Sequence, residues 1–136
     1  MTVPTTPSPA MPEHHVAVLG ASPKPERFSH RAVVKLHKAG YRVTPVHPRA
    51  AEIAGLPAVA DLASVPRPVD TLTLYVGPQR LLALQDDILA LRPGRVIFNP
   101  GTATPELQRA LDAAGIPWLA QCTLVLLDSG RFLDGT

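Results

Sequence analysis

An α/β fold, with an open, mostly parallel sheet and helices on both faces, is what this sequence predicts. Three observations lead there. Residues 15–20 form a short run whose apolar side chains are continuous rather than alternating, the mark of a strand buried on both faces. A helical period and a second strand follow within about thirty residues, the length of a βαβ unit. Strand and helix patterns then alternate to the end of the chain, the succession expected of a parallel sheet.

The elements follow in order. The first 13 residues carry Pro4, Pro7, Pro9 and Pro12 among Thr and Ser and show no hydrophobic period. They are expected to be a flexible tail ahead of a single domain, 14–136. His14 and His15, side by side before the first strand, read as an incidental pair rather than a metal site. Residues 29–39 read as a helix, with Ser29 as its N-cap, Val33 and Leu36 on one side and Gly40 just past its end. Residues 41–46 are the second strand, closing a crossover that is right-handed almost without exception.

The pattern weakens over 50–68, where 56–59 read as a short third strand and 61–65 as a helical turn capped by Asp61. Residues 69–76 form a strand that alternates apolar positions with Asp70, Thr71 and Thr73, so one face is expected to be less deeply buried. Gly77 breaks it, and Pro78 suits the first position of a helix running to Leu91, with Leu81, Leu84, Ile88 and Leu91 on one stripe. Pro93 and Gly94 stop that helix. A strand at 95–98 closes on Asn99, Pro100 and Gly101. Thr104 as N-cap, Pro105 at the first position and Glu106 as first-turn acid then open a helix that turns Leu107, Ala110, Leu111 and Ala114 inward and ends at Gly115. A last short strand falls at 118–120, and 124–127 are too few to assign.

Composition narrows the function. An apolar share of 46% against 18% charged suits a folded globular domain rather than a disordered chain. The net charge of +2, with no Lys/Arg block and few aromatic residues, argues against a nucleic-acid partner. No apolar run reaches the roughly 18 residues of a membrane span, and the N-terminus lacks the pattern of a signal peptide, so no membrane partner and a cytoplasmic location are expected. Cys122 is the only cysteine, which excludes an intrachain disulfide and a cysteine-based zinc cluster.

In sheets of this class ligands bind beyond the carboxyl ends of the strands, where strand order reverses. That rule gathers residues 20–29, 47–49, 76–78 and 99–101 at one rim. A buried strand, then Gly20, then a loop with Lys24 and Arg27, then a helix start at Ser29 is a physical recipe for holding phosphate, because a helix N-terminus offers unpaired N–H groups and partial positive charge. The dinucleotide fingerprint G-x-G-x-x-G with an acid at the end of the second strand is absent: Ala21, Ser22, Pro23, Lys24 and Pro25 follow Gly20, and His47, Pro48 and Arg49 stand where the acid belongs. A basic residue there suits a ribose that carries its own phosphate. NADP and coenzyme A both meet that description.

The patterns V-x-V-L-G-A-S-x-x-P-x-R-x-S-x-R from Val16 to Arg31 and G-Y-R-V-x-P-V-x-P-R from Gly40 to Arg49 resemble the small standalone CoA-binding proteins. These in turn resemble the CoA-binding domain of the succinyl-CoA synthetase α subunit. The likeness continues through P-V-D at 68–70, N-P-G at 99–101 and Cys122, and so covers nearly the whole folded chain. It implies a Rossmann-like fold and coenzyme A, or an acyl-CoA, as ligand. By position it implies Gly20, Ala21 and Ser22 in the diphosphate turn, with Lys24, Arg27 and Ser29 as further phosphate contacts. Pro48 and Arg49 fall near the adenosine, Arg49 facing the 3′-phosphate. Val76, Gly77 and Pro78 flank the adenine or the start of the pantetheine arm, and Asn99, Pro100 and Gly101 border the far end. The chain departs from the family at His47, where Asn is common, and at Gly77, where an Arg-Pro pair is frequent.

Each of these residues has a plainer reading. Ser29 caps a helix, Lys24 and Arg27 are solvated loop charges, His47 ends a strand, Tyr75 and Phe98 pack in the core, and Cys122 is a small buried side chain. If Cys122 instead faces the crevice, a mixed disulfide with the CoA thiol is chemically available under oxidising conditions, the oxidant taking up the two electrons and two protons. No nucleophile elbow, paired catalytic carboxylates or metal cluster is legible, so no catalytic residue and no metal site are expected. The expected function is non-catalytic binding of CoA or a CoA thioester as carrier, sensor or partner subunit, with a homo-oligomer or a separate catalytic partner chain left open. The alternatives are an NADP-dependent oxidoreductase and an interaction protein that keeps the fold without the ligand.

Overall fold

β1 (His15–Leu19) is flanked on both sides by parallel strands, β2 (Arg42–Val46) and β5 (Thr71–Leu74). The computed structural model describes residues 14–133, so the expected tail at 1–13 lies outside the described residues. Between β1 and β2 runs α1 (Phe28–Lys38). After β2 come a two-residue pair, β3 (Glu52–Ile53) and β4 (Leu56–Pro57), and a 3₁₀ turn (Leu62–Ser64). Beyond β5 lie α2 (Pro78–Ala83), α3 (Gln85–Leu91), β6 (Arg95–Phe98), α4 (Pro105–Ala114), β7 (Trp118–Ala120) and α5 (Thr123–Asp128). The main sheet has the order β2-β1-β5-β6-β7, and every pairing in it is parallel. This is the Rossmann-like α/β architecture expected from the sequence.

Two apolar layers sandwich the sheet. Val16 and Val18 pack on one face with Val33 and Leu36 of α1 and Leu126 of α5. Ala17 and Leu19 pack on the other with Leu81, Ile88, Leu107 and Leu111 of α2 to α4. One strand thus feeds both cores, which is why its sequence does not alternate. Among the described residues no helix is long and apolar enough to cross a membrane.

The structure corrects several expectations. α1 begins at Phe28 with Arg27 in the N-cap position and no side-chain cap, so Ser29 is a buried first-turn residue and not the cap. A turn closed by the Arg27 N–H on the Lys24 carbonyl (3.1 Å) brings the chain into helix early. The helix foreseen from 78 to 91 is two helices meeting at Leu84, whose N–H is shared between the carbonyls of Arg80 and Leu81; the apolar stripe runs through that bend, so period alone does not reveal it. Thr104 holds the N-cap position of α4, but its hydroxyl donates to the Thr102 carbonyl instead of accepting from the helix. The third strand is a hairpin, β3–β4, joined to β2 through a bridge between Val46 and Val59. Residues 124–127 are helical, within α5.

β5 is buried on both faces: Thr71, Leu72, Thr73 and Leu74 are all 0% exposed, against the expectation of a drier and a wetter side. Its threonines are tolerated inside because their hydroxyls are hydrogen-bonded, Thr71 with His14 and Arg95, Thr73 with Asn99 and Thr123. Asp61 does cap the 3₁₀ turn, accepting the Ser64 N–H at 3.0 Å.

The amino end of β1 carries a buried histidine. His15 is 1% exposed; its Nδ1–H donates to the Pro68 carbonyl (3.0 Å), which leaves Nε2 to accept from the Thr44 hydroxyl (2.6 Å). The neutral ring is therefore satisfied at both nitrogens. Burial holds both His15 and its half-buried neighbour His14 below the ordinary histidine value of 6.5. The unfolded chain takes up protons on these rings near pH 6.5, while the folded protein resists until lower pH. Stability is thus fully present above about pH 6.5 and declines as pH falls below it. The thermal midpoint, followed by circular dichroism, is expected to drop between about pH 7 and pH 5.5; a flat profile there contradicts this assignment.

Candidate functional site

Strand order reverses at β1: the crossover from β1 leads to β2 on one side, and the next strand of the sheet, β5, lies on the other. The crevice beyond the carboxyl ends of β1 and β5 is the position where such sheets take ligands. Because every pairing of the five-stranded sheet is parallel, the loops after β1, β2, β5, β6 and β7 open on this same rim. The predicted residues are brought together by topology, not by sequence proximity.

Gly20 makes the first turn, at φ +87°, and lies tight against the loop after β5. A methyl placed on it would sit 2.7 Å from Val76 Cγ1 and 3.0 Å from the Tyr75 carbonyl carbon and oxygen. Only glycine meets both demands, the left-handed backbone and the close approach. The N–H groups of Gly20 and Ala21 both point to the Val46 carbonyl, at 3.3 and 3.2 Å. They shape the turn by tying it to β2 and are not the free donors of a phosphate loop.

Free donors lie one turn further on. The Arg31 N–H bonds the Arg27 carbonyl at 3.1 Å, and no side chain caps the start of α1. The N–H groups of Phe28, Ser29 and His30 therefore face outward unpaired among the described residues, at the positive end of the helix dipole. Lys24 and Arg27 are exposed in the loop leading to them. The loop itself is braced: the Ser22 hydroxyl accepts the Lys24 N–H (3.1 Å), and His30 Nδ1–H donates to the Ser22 carbonyl (2.8 Å). Nothing in the sequence distinguished His30 from a solvated helix residue; the contact joins positions eight apart across a loop.

At the end of β2, Pro48 and Arg49 are exposed on the rim. Beside them His47 does more than end a strand, since its Nδ1 accepts the backbone N–H of Arg49 (3.0 Å) and Ala50 (2.9 Å). An asparagine side-chain oxygen makes the same kind of turn. Beyond β5, Val76 is buried, whereas Gly77 and Pro78 are exposed as N-cap and first residue of α2, with open space above Gly77.

The residue whose role differs most from expectation is Asn99. It is 3% exposed, and its amide donates to the Thr73 hydroxyl (2.6 Å) and the Leu74 carbonyl (2.8 Å) while its side-chain oxygen accepts the Thr123 N–H (2.8 Å). Both donors are used inside the fold, where they join β5, β6 and the start of α5. What the loop offers a ligand is Pro100 and Gly101, both exposed. This loop borders a cleft of about 330 Å³ that Ala120, Gln121 and Cys122 line from the other side. Cys122 is half-buried on that cleft rather than sealed in the core. Tyr75 is likewise only partly covered; its hydroxyl is buried without a hydrogen bond, and burial pushes its pKa up to about 12. Phe98 packs in the core as expected.

A larger hollow, about 710 Å³, runs along α1 and α5 between Arg31, Lys35, Lys38 and Leu127. Most of it lies on a flank of the sheet, and one end reaches the loop after β1 at Pro25 and His30. Among the described residues no group of three or more His, Cys, Asp or Glu is arranged to hold a metal ion.

Comparison with known proteins gives four findings. A family model described as a CoA binding domain matches residues 14–128. An uncharacterised Bacillus subtilis protein, YneT, is 31% identical over 74 residues, which are 54% of this chain and 55% of that protein, so the chain matches about half the length of this curated relative. A solved structure from Thermus thermophilus superposes with a TM-score of 0.81 at 39% identity, covering 88% of this chain and 90% of that one. A dinucleotide-forming acetyl-coenzyme A synthetase of Candidatus Korarchaeum cryptofilum superposes with a TM-score of 0.70 at 23% identity, covering 80% of this chain but 26% of that protein; this likeness is one of fold.

Proposed function

Since the chain belongs to the CoA-binding domain family, we propose that the crevice beyond β1 and β5 binds coenzyme A or a CoA thioester. The observation that carries the reading is the span of the family match, 14–128, which takes in every loop of the rim. The chemistry of the rim supports it. The uncapped first turn of α1, with Lys24, Arg27 and the buried Ser29 beside it, suits the diphosphate, which needs donors and positive charge. Arg49 stands where an acid would bind an unmodified ribose, and its fork of donors suits the 3′-phosphate of CoA. Gly20, Ala21 and Ser22 form the close turn that lets the ligand approach. Val76, Gly77 and Pro78 flank the adenine end, and Asn99, Pro100 and Gly101 frame the cleft at the far end. In this reading the protein binds and presents its ligand without turnover, as a carrier, a sensor or a partner of a separate catalytic chain.

Thermal shift with CoA, dephospho-CoA, NADP and NAD tests the reading. Ligand at about 100 times its Kd adds roughly 2.7 kcal/mol of stability. CoA is expected to stabilise the wild type more than dephospho-CoA, and Arg49→Ala to remove most of that difference while leaving the dephospho-CoA response in place. An equal response of the wild type to both CoA forms overturns the assignment of Arg49. A larger response to NADP than to CoA favours an oxidoreductase, and no response to any of the four leaves a fold that has lost its ligand.

A further inference from the structure

We propose that His47 is a positioning residue that sets Arg49 at the rim and so determines discrimination between CoA and dephospho-CoA. This rests on the reading of the crevice as a CoA site. The turn that carries Arg49 is held at every backbone donor it has. The His47 N–H bonds the Val59 carbonyl at 2.9 Å, Val59 in turn bonds the Pro45 carbonyl at 3.0 Å, and Pro48 has no N–H. The remaining two donors of the turn, the N–H groups of Arg49 and Ala50, both end on His47 Nδ1. Just beyond, the Ala58 N–H on the Ala51 carbonyl (3.0 Å) closes the base of the β3–β4 hairpin.

The consequence follows from the acceptor. Nδ1 receives two N–H groups and so carries no proton itself, which puts the proton of the neutral ring on Nε2. Pro48 has a nearly fixed φ, so these two bonds settle most of the remaining freedom up to Arg49. The Arg49 side chain is exposed and forms no ion pair with a carboxylate among the described residues; the one such pair joins Lys35 to Asp128. A free cation thus sits on a backbone already ordered before any ligand arrives. Preordering of this kind raises affinity by lowering what binding must organise. The effect is confined to whatever group Arg49 meets, which in the CoA reading is the 3′-phosphate.

The test is calorimetric titration of His47→Ala and His47→Asn with CoA and with dephospho-CoA. His47→Ala is expected to weaken CoA binding roughly five- to tenfold and dephospho-CoA binding by less than twofold. His47→Asn restores the ratio, because its side-chain oxygen reaches the N–H groups two and three residues on. In an Arg49→Ala background His47→Ala has no further effect on the ratio, as coupling through Arg49 requires. If His47→Ala does not fold, His47→Gln, which displaces the acceptor by one methylene, replaces it in every comparison. A wild type that prefers CoA, with a ratio unchanged in His47→Ala or His47→Gln, overturns the role of His47 and leaves the CoA reading standing. A wild type that binds both forms equally overturns the role of His47 together with the assignment of Arg49, and a wild type that binds neither overturns the CoA reading itself.

Discussion

Gly20→Ala is expected to lose about 3 kcal/mol of stability and to bind CoA at least tenfold more weakly. Two costs add. An L-residue in the left-handed region costs roughly 1–2 kcal/mol, and a methyl forced into a packed site typically costs another 1–3 kcal/mol. Here the methyl meets a side chain, Val76, and the Tyr75 backbone, and backbone cannot step aside as the end of a flexible side chain can. Relief therefore requires β1 and β5 to part at their carboxyl ends, which is where the crevice lies. Urea unfolding reads the first effect as a lower midpoint at unchanged slope. A stability within about 0.5 kcal/mol of wild type would falsify the close approach of these two loops. Val76→Ala in the Gly20→Ala background removes the nearest clash and is expected to recover part of the loss, because the two sites are in contact and so non-additive.

Asn99→Ala is expected to cost about 3 kcal/mol or more, and to do so without any ligand present. The substitution leaves the Leu74 carbonyl and the Thr123 N–H without their buried partner and deprives the Thr73 hydroxyl of a donor. Each unsatisfied buried group carries a penalty of roughly 1–3 kcal/mol. Asn99→Asp is no remedy, because a carboxylate offers no donor to the Leu74 carbonyl and adds a buried charge. Both variants are checked by chemical denaturation of the apo protein. If Asn99→Ala loses CoA affinity while its unfolding midpoint stays at the wild-type value, Asn99 is a ligand contact and not the tie between β5, β6 and α5.

These two residues show how far the sequence carried. Gly20 was legible as the turn that ends β1, because an apolar run ending in glycine before a helix constrains the backbone locally, whereas its close packing against Val76 and Tyr75 was not. Asn99 was legible as a site-loop residue only; that its amide is turned inward depends on Thr73 and Thr123, which lie 26 and 24 residues away. The same division holds at His47. Its place before Pro48 and Arg49 is a matter of sequence, whereas its service as acceptor for two N–H groups is a matter of how the turn closes. Ser29 reads as a cap by type, yet after the turn at 24–27 the N-cap falls two residues sooner, at Arg27, and Ser29 is a buried residue of the first turn.

By itself, then, the sequence determined the α/β class, the parallel sheet, the rim loops and the family to which the chain belongs. Those properties rest on hydrophobic period, turn residues and motif spacing, which are local and additive along the chain. The tertiary structure alone decided which donors around the crevice are free and which are taken. The amides of Gly20 and Ala21 go to Val46, the amide of Asn99 goes into the core, and the first turn of α1 remains open. Hydrogen-bond partners are chosen across the sheet by proximity in space, and no pattern of residue types along one strand records that choice.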